Sequence, residues 1–501
     1  MTATPVGRRA GSTPALSPSE SIADYVVVGS GAGGATAALV LAEARRDVIV
    51  LEEGPVVRDA DRGQGATEAF MRLFRDRGTQ VAMGRSVIPI LQGRCVGGTT
   101  VVNGAIVWRL PEDAYERCFG EAGAREVVPL RELERRMERI ERDLSVAPAP
   151  DRLLGGNGTL MKVGVEKLGW RGHAIRRNVL DCQGSGRCLE ACPTKRKQSM
   201  EVTYLPRAQA LGARILADHE VRLVETSAAR AVAVSGTRAD GSPFRVAARR
   251  GVVLAASAVQ TPCILRRSGI GPRAHVGTHF RAHPGTAVAG VYRDAVRSWE
   301  GASQSFEVDE FRGQGFKMEV VSLPVELAGV RLPGLGEGFQ RSIADYPNMA
   351  VWGVQVRAEA EGTVAPQGDR SRIVYTPSAA DMARFRTGVE RLAELHFAAG
   401  AMRVYPGVHG GPDVLRSPDE IPLLRDLPLD PRNYSLIAAH FFGTCRMARD
   451  PDAGVTGFDG AVHGVRGLWV LDASIFPTNL GVNPQHPIMA LAMLLAERIA
   501  G

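Results

Sequence analysis

Several features are missing from this chain, and each absence narrows what it can be. No run of about 18 apolar residues occurs, so a membrane-spanning helix is not expected. No Gly-X-Y period accompanies the 57 glycines, which excludes a collagen-like chain. Cysteine is sparse. The seven present are Cys95, Cys118, Cys182, Cys188, Cys192, Cys263 and Cys445, an odd and mostly scattered set unlike an oxidised framework. Lysine occurs only at 162, 167, 195, 197 and 317, so nearly all the positive charge is arginine. Arginine and lysine total 61 against 54 acids, a net charge of +7, yet bases and acids interleave, as in RELERRMERIERD at 131–143. That pattern is a solvated helix face with i,i+4 pairs. No long basic tract or aromatic–basic platform marks a nucleic-acid partner, and no internal repeat is evident.

What remains is the composition of a soluble globular protein, 45% hydrophobic and 23% charged. Its 501 residues allow about three domains, or two large ones. Residues 1–19 are polar and rich in Ser, Pro and Gly, and read as a mobile tail. The Arg8-Arg9 pair is followed by no apolar core, so an export signal is not expected and the chain reads as cytoplasmic.

The first ordered segment points to a ligand. Residues 24–28 (DYVVV) read as a buried strand, GSGAGG follows at 29–34, an Ala/Leu-rich helix covers 35–45, and a second strand, 48–51, ends at Glu52. This is the strand, glycine turn, helix, strand, acid order of a dinucleotide fold. Gly29 permits the tight turn, Gly31 lets backbone approach a pyrophosphate, and Gly34 allows close helix packing. Helix N-terminal N–H groups face the phosphates. Glu52, eighteen residues beyond Gly34, is placed for ribose hydroxyls. A second glycine cluster, GRCVGGTTVVNG at 93–104, brings backbone close to a flat or phosphorylated ligand again.

With that cluster the chain resembles the glucose–methanol–choline (GMC) oxidoreductases. AVQTPCILRRSGIG at 258–271 looks like their second signature. HFFGTCRM at 440–447 is similar to the segment around their catalytic histidine, and GLWVLDASIFPTNLGVNP at 467–484 to their C-terminal flavin segment. The blocks are in family order. The resemblance implies an α/β architecture: a discontinuous Rossmann-like FAD-binding domain (20–125, 201–285 and 432–501) with an inserted α+β substrate domain built on an antiparallel sheet (126–200 and 286–431). It implies FAD contacts at Gly29, Gly31, Gly34, Glu52, Gly97, Gly98, Asn103, Val221 and Asp472. Val102 stands where some members attach FAD through a histidine, so FAD should be non-covalent.

The same resemblance makes His440 the base and Asn483 its partner. An imidazole of ordinary pKa about 6.5 suits proton abstraction near neutrality, and an amide can orient an oxygen without titrating. The implied step is oxidation of a sugar-like, aminoglycoside-like or other CH–OH substrate, His440 taking the proton and flavin N5 the hydride. Oxygen or a redox partner would then accept the electrons. A non-oxidative relative, lyase or photodecarboxylase, is the alternative.

Two patterns leave questions. Cys182, Cys188 and Cys192-Pro193 are spaced like the three-iron (3Fe-4S) ligands of bacterial FAD-dependent glucose dehydrogenases, so an iron–sulfur cluster feeding a partner stands beside reduced thiols or a disulfide. His275, His279 and His283 have a spacing of four that mimics metal ligands, but Gly277 and Pro284 interrupt a helix there. His486, two residues past Pro484, either enters the site or packs. Amphipathic 131–146 reads as a helix, and 317–323 and 348–357 as strands of the antiparallel sheet.

Overall fold

The computed structural model describes residues 21–501; the tail expected at 1–19 lies outside the described residues. Two seven-stranded sheets organise them.

The first sheet grows from the apolar run near the N-terminus. Strand Ser21–Val28 pairs in parallel with Val48–Leu51 on one side and Pro243–Leu254 on the other. Arg214–Leu216 extends the sheet past Val48–Leu51. Leu468–Val470 joins Pro243–Leu254 in parallel, and the antiparallel strands Arg230–Arg238 and His219–Ser227 complete it. Parallel strands are covered on both faces, so they read as unbroken apolar runs; VVV at 26–28 and VIVL at 48–51 are fully buried.

Helix Ala32–Glu43 follows the glycine turn and is buried along almost its whole length. It packs with the C-terminal helix Gln485–Ala500 in one core. Tyr25 donates its hydroxyl hydrogen to the carbonyl of Ile499 at 2.8 Å, tying the last helix to the first strand. The amphipathic segment forms helix Leu130–Asp143. Leu133, Met137 and Ile140, spaced i, i+4, i+7, bury against this same core while its arginines and glutamates stay outside. The division expected at 126 therefore falls ahead of a helix that packs with the first sheet, because its apolar stripe is complementary to the C-terminal helix and not to the second sheet.

The second sheet is antiparallel. Its order runs Arg403–Tyr405, Arg281–Val291, Met349–Val356, Phe316–Val320, Phe306–Val308, Gly172–Ala174, with Ile437–Phe442 also paired to Arg281–Val291. The strands expected at 317–323 and 348–357 are present within a few residues. One face carries Phe316, Met318, Trp352 and Val354 into a core with helices Gly155–Leu168 and Ala379–Ala398. Trp352 is fully buried, donates Nε1–H to Asn157 at 2.9 Å and stacks on His396. The opposite face looks across a cleft toward the glycine turn. Among the described residues, no helix is long and apolar enough to cross a membrane.

Candidate active site

The cleft lies between the two sheets and holds about 1900 Å³ of empty space, counted to its open mouth. It is built at the carboxyl ends of the parallel strands, where open α/β sheets place their ligands. At one end, Gly29 has φ +97°, and a Cβ there would lie 2.4 Å from the carbonyl oxygen of Ala255. Cβ atoms at Gly33 and Gly34 would meet the carbonyls of Leu471 and Gly29, each at 1.9 Å. These glycines let the helix press onto neighbouring backbone. Gly31 differs: nothing lies within 4 Å of its Cβ position, so its surroundings are open space. No side chain caps the helix that starts beside it, which leaves N-terminal N–H groups free for an anion.

The second glycine cluster explains itself at this point. A Cβ on Gly98 would sit 2.8 Å from the Gly31 Cα, so the two turns touch backbone to backbone. Ser30 links them: its hydroxyl donates to Glu52 at 2.6 Å and accepts from the Gly97 amide at 2.9 Å. Glu52 also accepts from the Ser30 and Gly54 amides, and burial pushes its carboxyl pKa up despite those bonds. Asp472, buried, accepts from the amides of Ser257 and Ser474 and from the Thr261 hydroxyl, and burial raises it too. Val221 lines the wall beside Glu52, on a strand that bulges at its pairing with Gly236. Asn103 donates to the Gln485 side-chain oxygen at 2.6 Å and accepts from the Ala105 amide. Gly29, Gly31, Glu52, Gly98, Asn103, Val221 and Asp472 all line the one cleft; Gly34 and Gly97 stand just behind it. An open space above Gly31, uncapped helix N–H groups and an acid beside them fit an adenine dinucleotide.

At the other end stand His440, on the strand Ile437–Phe442, and Asn483, just before the C-terminal helix. Each has an enclosed polar atom without a protein partner: His440 Nδ1 and Asn483 Oδ1. The helix begins at Gln485 with no side-chain cap, so Asn483 is not engaged as one. Burial, and then the Lys317 charge, lower the His440 pKa to about 3, so its ring is neutral. His283, which shares the spacing of four with His275 and His279, parts from them in space. It lies edge-on to His440 with ring centroids 5.6 Å apart, and its Nε2 accepts from the Gly481 amide at 2.8 Å. It thus fixes the loop that carries Asn483. His275 and His279 instead stack on each other away from this ring, His279 pairing with Glu361. His486 packs: its Nε2 bonds the Met137 carbonyl at 3.0 Å, outside the cleft.

Of the alternatives open for the cysteines, the cluster finds no support. Among the described residues, no group of three or more His, Cys, Asp or Glu is placed to hold a metal ion, and all seven cysteines are free. The Arg177 guanidinium stands between two of the thiols, 3.1 Å from Cys188 Sγ and 3.9 Å from Cys182 Sγ, while Cys192 Sγ lies 3.5 Å from the Thr194 hydroxyl. Cluster ligands must converge on one point; here the Arg177 cation contacts two of the three thiols and the third faces Thr194. Burial alone would raise the Cys188 pKa, but Arg177 and Lys197 outweigh it and bring it down to about 7. Lys197 donates to the carbonyls of Val101, Asn103 and Cys188, so this loop props the Asn103 segment rather than a metal.

Fold and cleft together describe a dinucleotide-dependent enzyme with a histidine poised opposite the ligand turn. Family comparison gives the class directly. The GMC oxidoreductase N-terminal profile matches residues 23–285 and the C-terminal profile 358–492. A GMC-type oxidoreductase of Mycobacterium tuberculosis is 37% identical over 96% of this chain and 76% of its own length. One of Sinorhizobium fredii is 33% identical over 95% and 94%. A long-chain-alcohol oxidase of Arabidopsis thaliana is 26% identical over 95% and 66%. The fold is that of a formate oxidase variant of Aspergillus oryzae (TM-score 0.75, 16% identity, 96% and 98% covered). It is also that of a pyridoxine 4-oxidase (TM-score 0.68, 18% identity, 95% and 98%). The chain belongs to the GMC oxidoreductase family and is an oxidoreductase.

Proposed function

We propose that this chain oxidises an alcohol to a carbonyl with non-covalently bound FAD, His440 serving as base and Asn483 as its partner, and with oxygen as the final acceptor. FAD bound in the cleft supplies the acceptor for the carbon-bound hydrogen and its electron pair. The observation that carries the reading is the meeting, in one cleft, of the glycine turn with His440 and Asn483, residues over 400 positions downstream.

His440 Nδ1 is sealed in protein, so Nε2 is the nitrogen available to take the hydroxyl proton. The depressed pKa keeps the ring in its accepting, neutral form. Burial also weakens it as a base, and negative charge gathering on the substrate oxygen offsets that penalty by favouring the protonated ring. Asn483 can donate from its amide nitrogen to the same oxygen. Gln485 and Lys197 hold Asn103 from two sides, which fixes the backbone at the far edge of the chamber. Val102 carries no nucleophile, in keeping with non-covalent FAD. Relatives named as oxidases support oxygen as acceptor. The contacts of Arg177 with Cys182 and Cys188, and of Cys192 with Thr194, lend no support to an electron path through a cluster.

The test is anaerobic flavin bleaching by an alcohol panel, in wild type and His440→Ala. The variant should retain FAD and reduce it about 10²-fold more slowly or worse, the usual loss with a general base. Unchanged single-turnover reduction would overturn the assignment.

A further inference from the structure

Alcohol oxidation in the cleft leaves a proton behind. The carbon-bound hydrogen departs with its electron pair to FAD, and the hydroxyl proton goes to His440. Each turnover thus ends with one proton on a ring whose charged form is opposed by burial and then by the Lys317 charge. That proton has to reach solvent, and the second sheet holds a chain of groups that leads outward. In the strand Phe316–Val320 the apolar Phe316, Met318 and Val320 point into the helical core, so Lys317 and Glu319 point the other way. The register sets Lys317 opposite Gln355, Glu319 opposite Glu307, and Glu307 opposite His173 on the last strand of the sheet. Cross-strand partners share a face, so Glu319, Glu307 and His173 form one row across three strands. Glu319 and Gln355 line the same cleft as His440. Lys317 Nζ donates to Glu319 at 2.8 Å and to Glu307 at 2.9 Å, and His173 Nε2 lies 3.3 Å from the other oxygen of Glu307. Lys317, Glu307 and Glu319 are almost fully buried, whereas the His173 side chain is 45% exposed. The row therefore runs without a gap from the cleft to the surface.

A polar network of this size in an interior costs desolvation and is not needed to close a sheet. Its charge suits it to conduct protons. One buried lysine faces two buried carboxylates, so the row can take up a proton without becoming a buried cation. Gln304 donates to Glu319 at 2.8 Å and Trp108 to Glu307 at 3.0 Å, which steadies both carboxylates beside Lys317. At the outer end His173 faces Glu307, the edge of the Trp108 ring, and Asp309, whose carboxylate lies 4.0 Å from its Nδ1. An imidazole can accept a proton at one ring nitrogen and release one from the other. We propose that Glu319, Lys317, Glu307 and His173 carry the proton of each turnover from the cleft to solvent. His440 passes its proton across the chamber to Glu319. Lys317 takes that proton while giving one of its own to Glu307. Glu307 protonates His173 at Nε2, and His173 releases the proton on Nδ1; a half-turn of its exposed ring resets it. Every group ends in the state in which it began, and one proton has moved. The proposal rests on the alcohol-oxidation reading and adds to it the route by which the proton leaves.

The test follows flavin bleaching and proton release together, in an anaerobic single turnover of the FAD-loaded enzyme in weak buffer with a pH-indicator dye. The alcohol used is the one of the panel that bleaches the flavin fastest. In wild type, proton release should keep pace with bleaching. In His173→Ala it should lag by about tenfold or more, the scale of a lost proton-transfer group partly replaced by water. Excess imidazole should remove that lag, because the vacated surface position admits a mobile base. Glu319→Gln, which leaves Lys317 paired with Glu307, should lag as well but gain nothing from imidazole, since the break lies inside the protein. A purely structural role for these residues would slow bleaching itself and give no response to imidazole. Release in step with bleaching in both variants, a His173→Ala lag that imidazole leaves untouched, or equal rescue of both variants would overturn the relay while leaving alcohol oxidation standing. No bleaching by any alcohol would overturn both.

Discussion

Replacing Lys317 with methionine removes one charge from a buried set of three. Lys317 is 1% exposed, Glu307 2% and Glu319 5%. Burial opposes the charged form of each, yet the pairing wins: the Lys317 pKa is raised and the Glu307 pKa is lowered. Methionine fits the volume but leaves two carboxylates buried without their cation, and breaking a buried pair in this way costs about 3–5 kcal/mol. The sign with pH is fixed. In wild type the lowered Glu307 pKa contributes stability that is present above the unfolded value of about 4.3 and is lost as pH falls through the folded value. In the variant the carboxylates gain protons more readily than in the unfolded chain. The deficit is therefore full at pH 8 and shrinks as pH falls toward 5, by about 1.4 kcal/mol per pH unit for each proton taken up. Urea midpoints of both proteins at pH 5, 6, 7 and 8 measure it. A deficit that is small at pH 8, or the same at every pH, would refute the reasoning that both carboxylates are charged and depend on Lys317.

Other outcomes are expected alongside it. Gly33→Ala, whose Cβ would lie 1.9 Å from a backbone oxygen, should destabilise the fold. Gly31→Val meets only open space and should fold, but purify without FAD; absorbance at the flavin bands separates the two. His396, His283 and His486 are buried and all have lowered pKa values, His396 to about 3 and His486 to about 4. The unfolded chain binds their protons below about pH 6.5 and the folded chain does not, so stability should fall toward pH 5 by up to about 1.4 kcal/mol per pH unit for each. Thermal melts from pH 7.5 to 5 check this; a rise in stability over that range would contradict it. Freshly purified protein from iron-replete cells should show flavin bands and no stoichiometric iron, and an iron-to-protein ratio near three would reverse the account of Cys182, Cys188 and Cys192.

Local signals were the legible ones. The turn at 29–34, the acid at Glu52 and the apolar strands beside them depend on neighbours within thirty residues. Backbone sterics at Gly29 and the period of buried strands are written into such a stretch. The stripe of Leu133, Met137 and Ile140 gave its helix correctly, but not the surface that helix covers. His486 follows the same logic: successive helix positions differ by about 100°, so Gln485 reaches Asn103 in the cleft while the next residue turns to the Met137 carbonyl. The cysteine spacing left its alternatives open because coordination is a condition on convergence in space, and Arg177, outside the cysteine run, stands against two of the thiols.

Sequence alone determined the ligand turn, the family resemblance, and the pair His440 and Asn483 as candidates. Those follow from short motifs whose chemistry is carried by residue type and order. Only the tertiary structure decided that Lys317, Glu319 and Gln355 share a face over the chamber, since the alternation in FKMEV defines two faces without saying which is covered. Register across five strands and the packing of helices on the opposite side made that choice, because the apolar face had to go to the core and the polar face was left to the cleft.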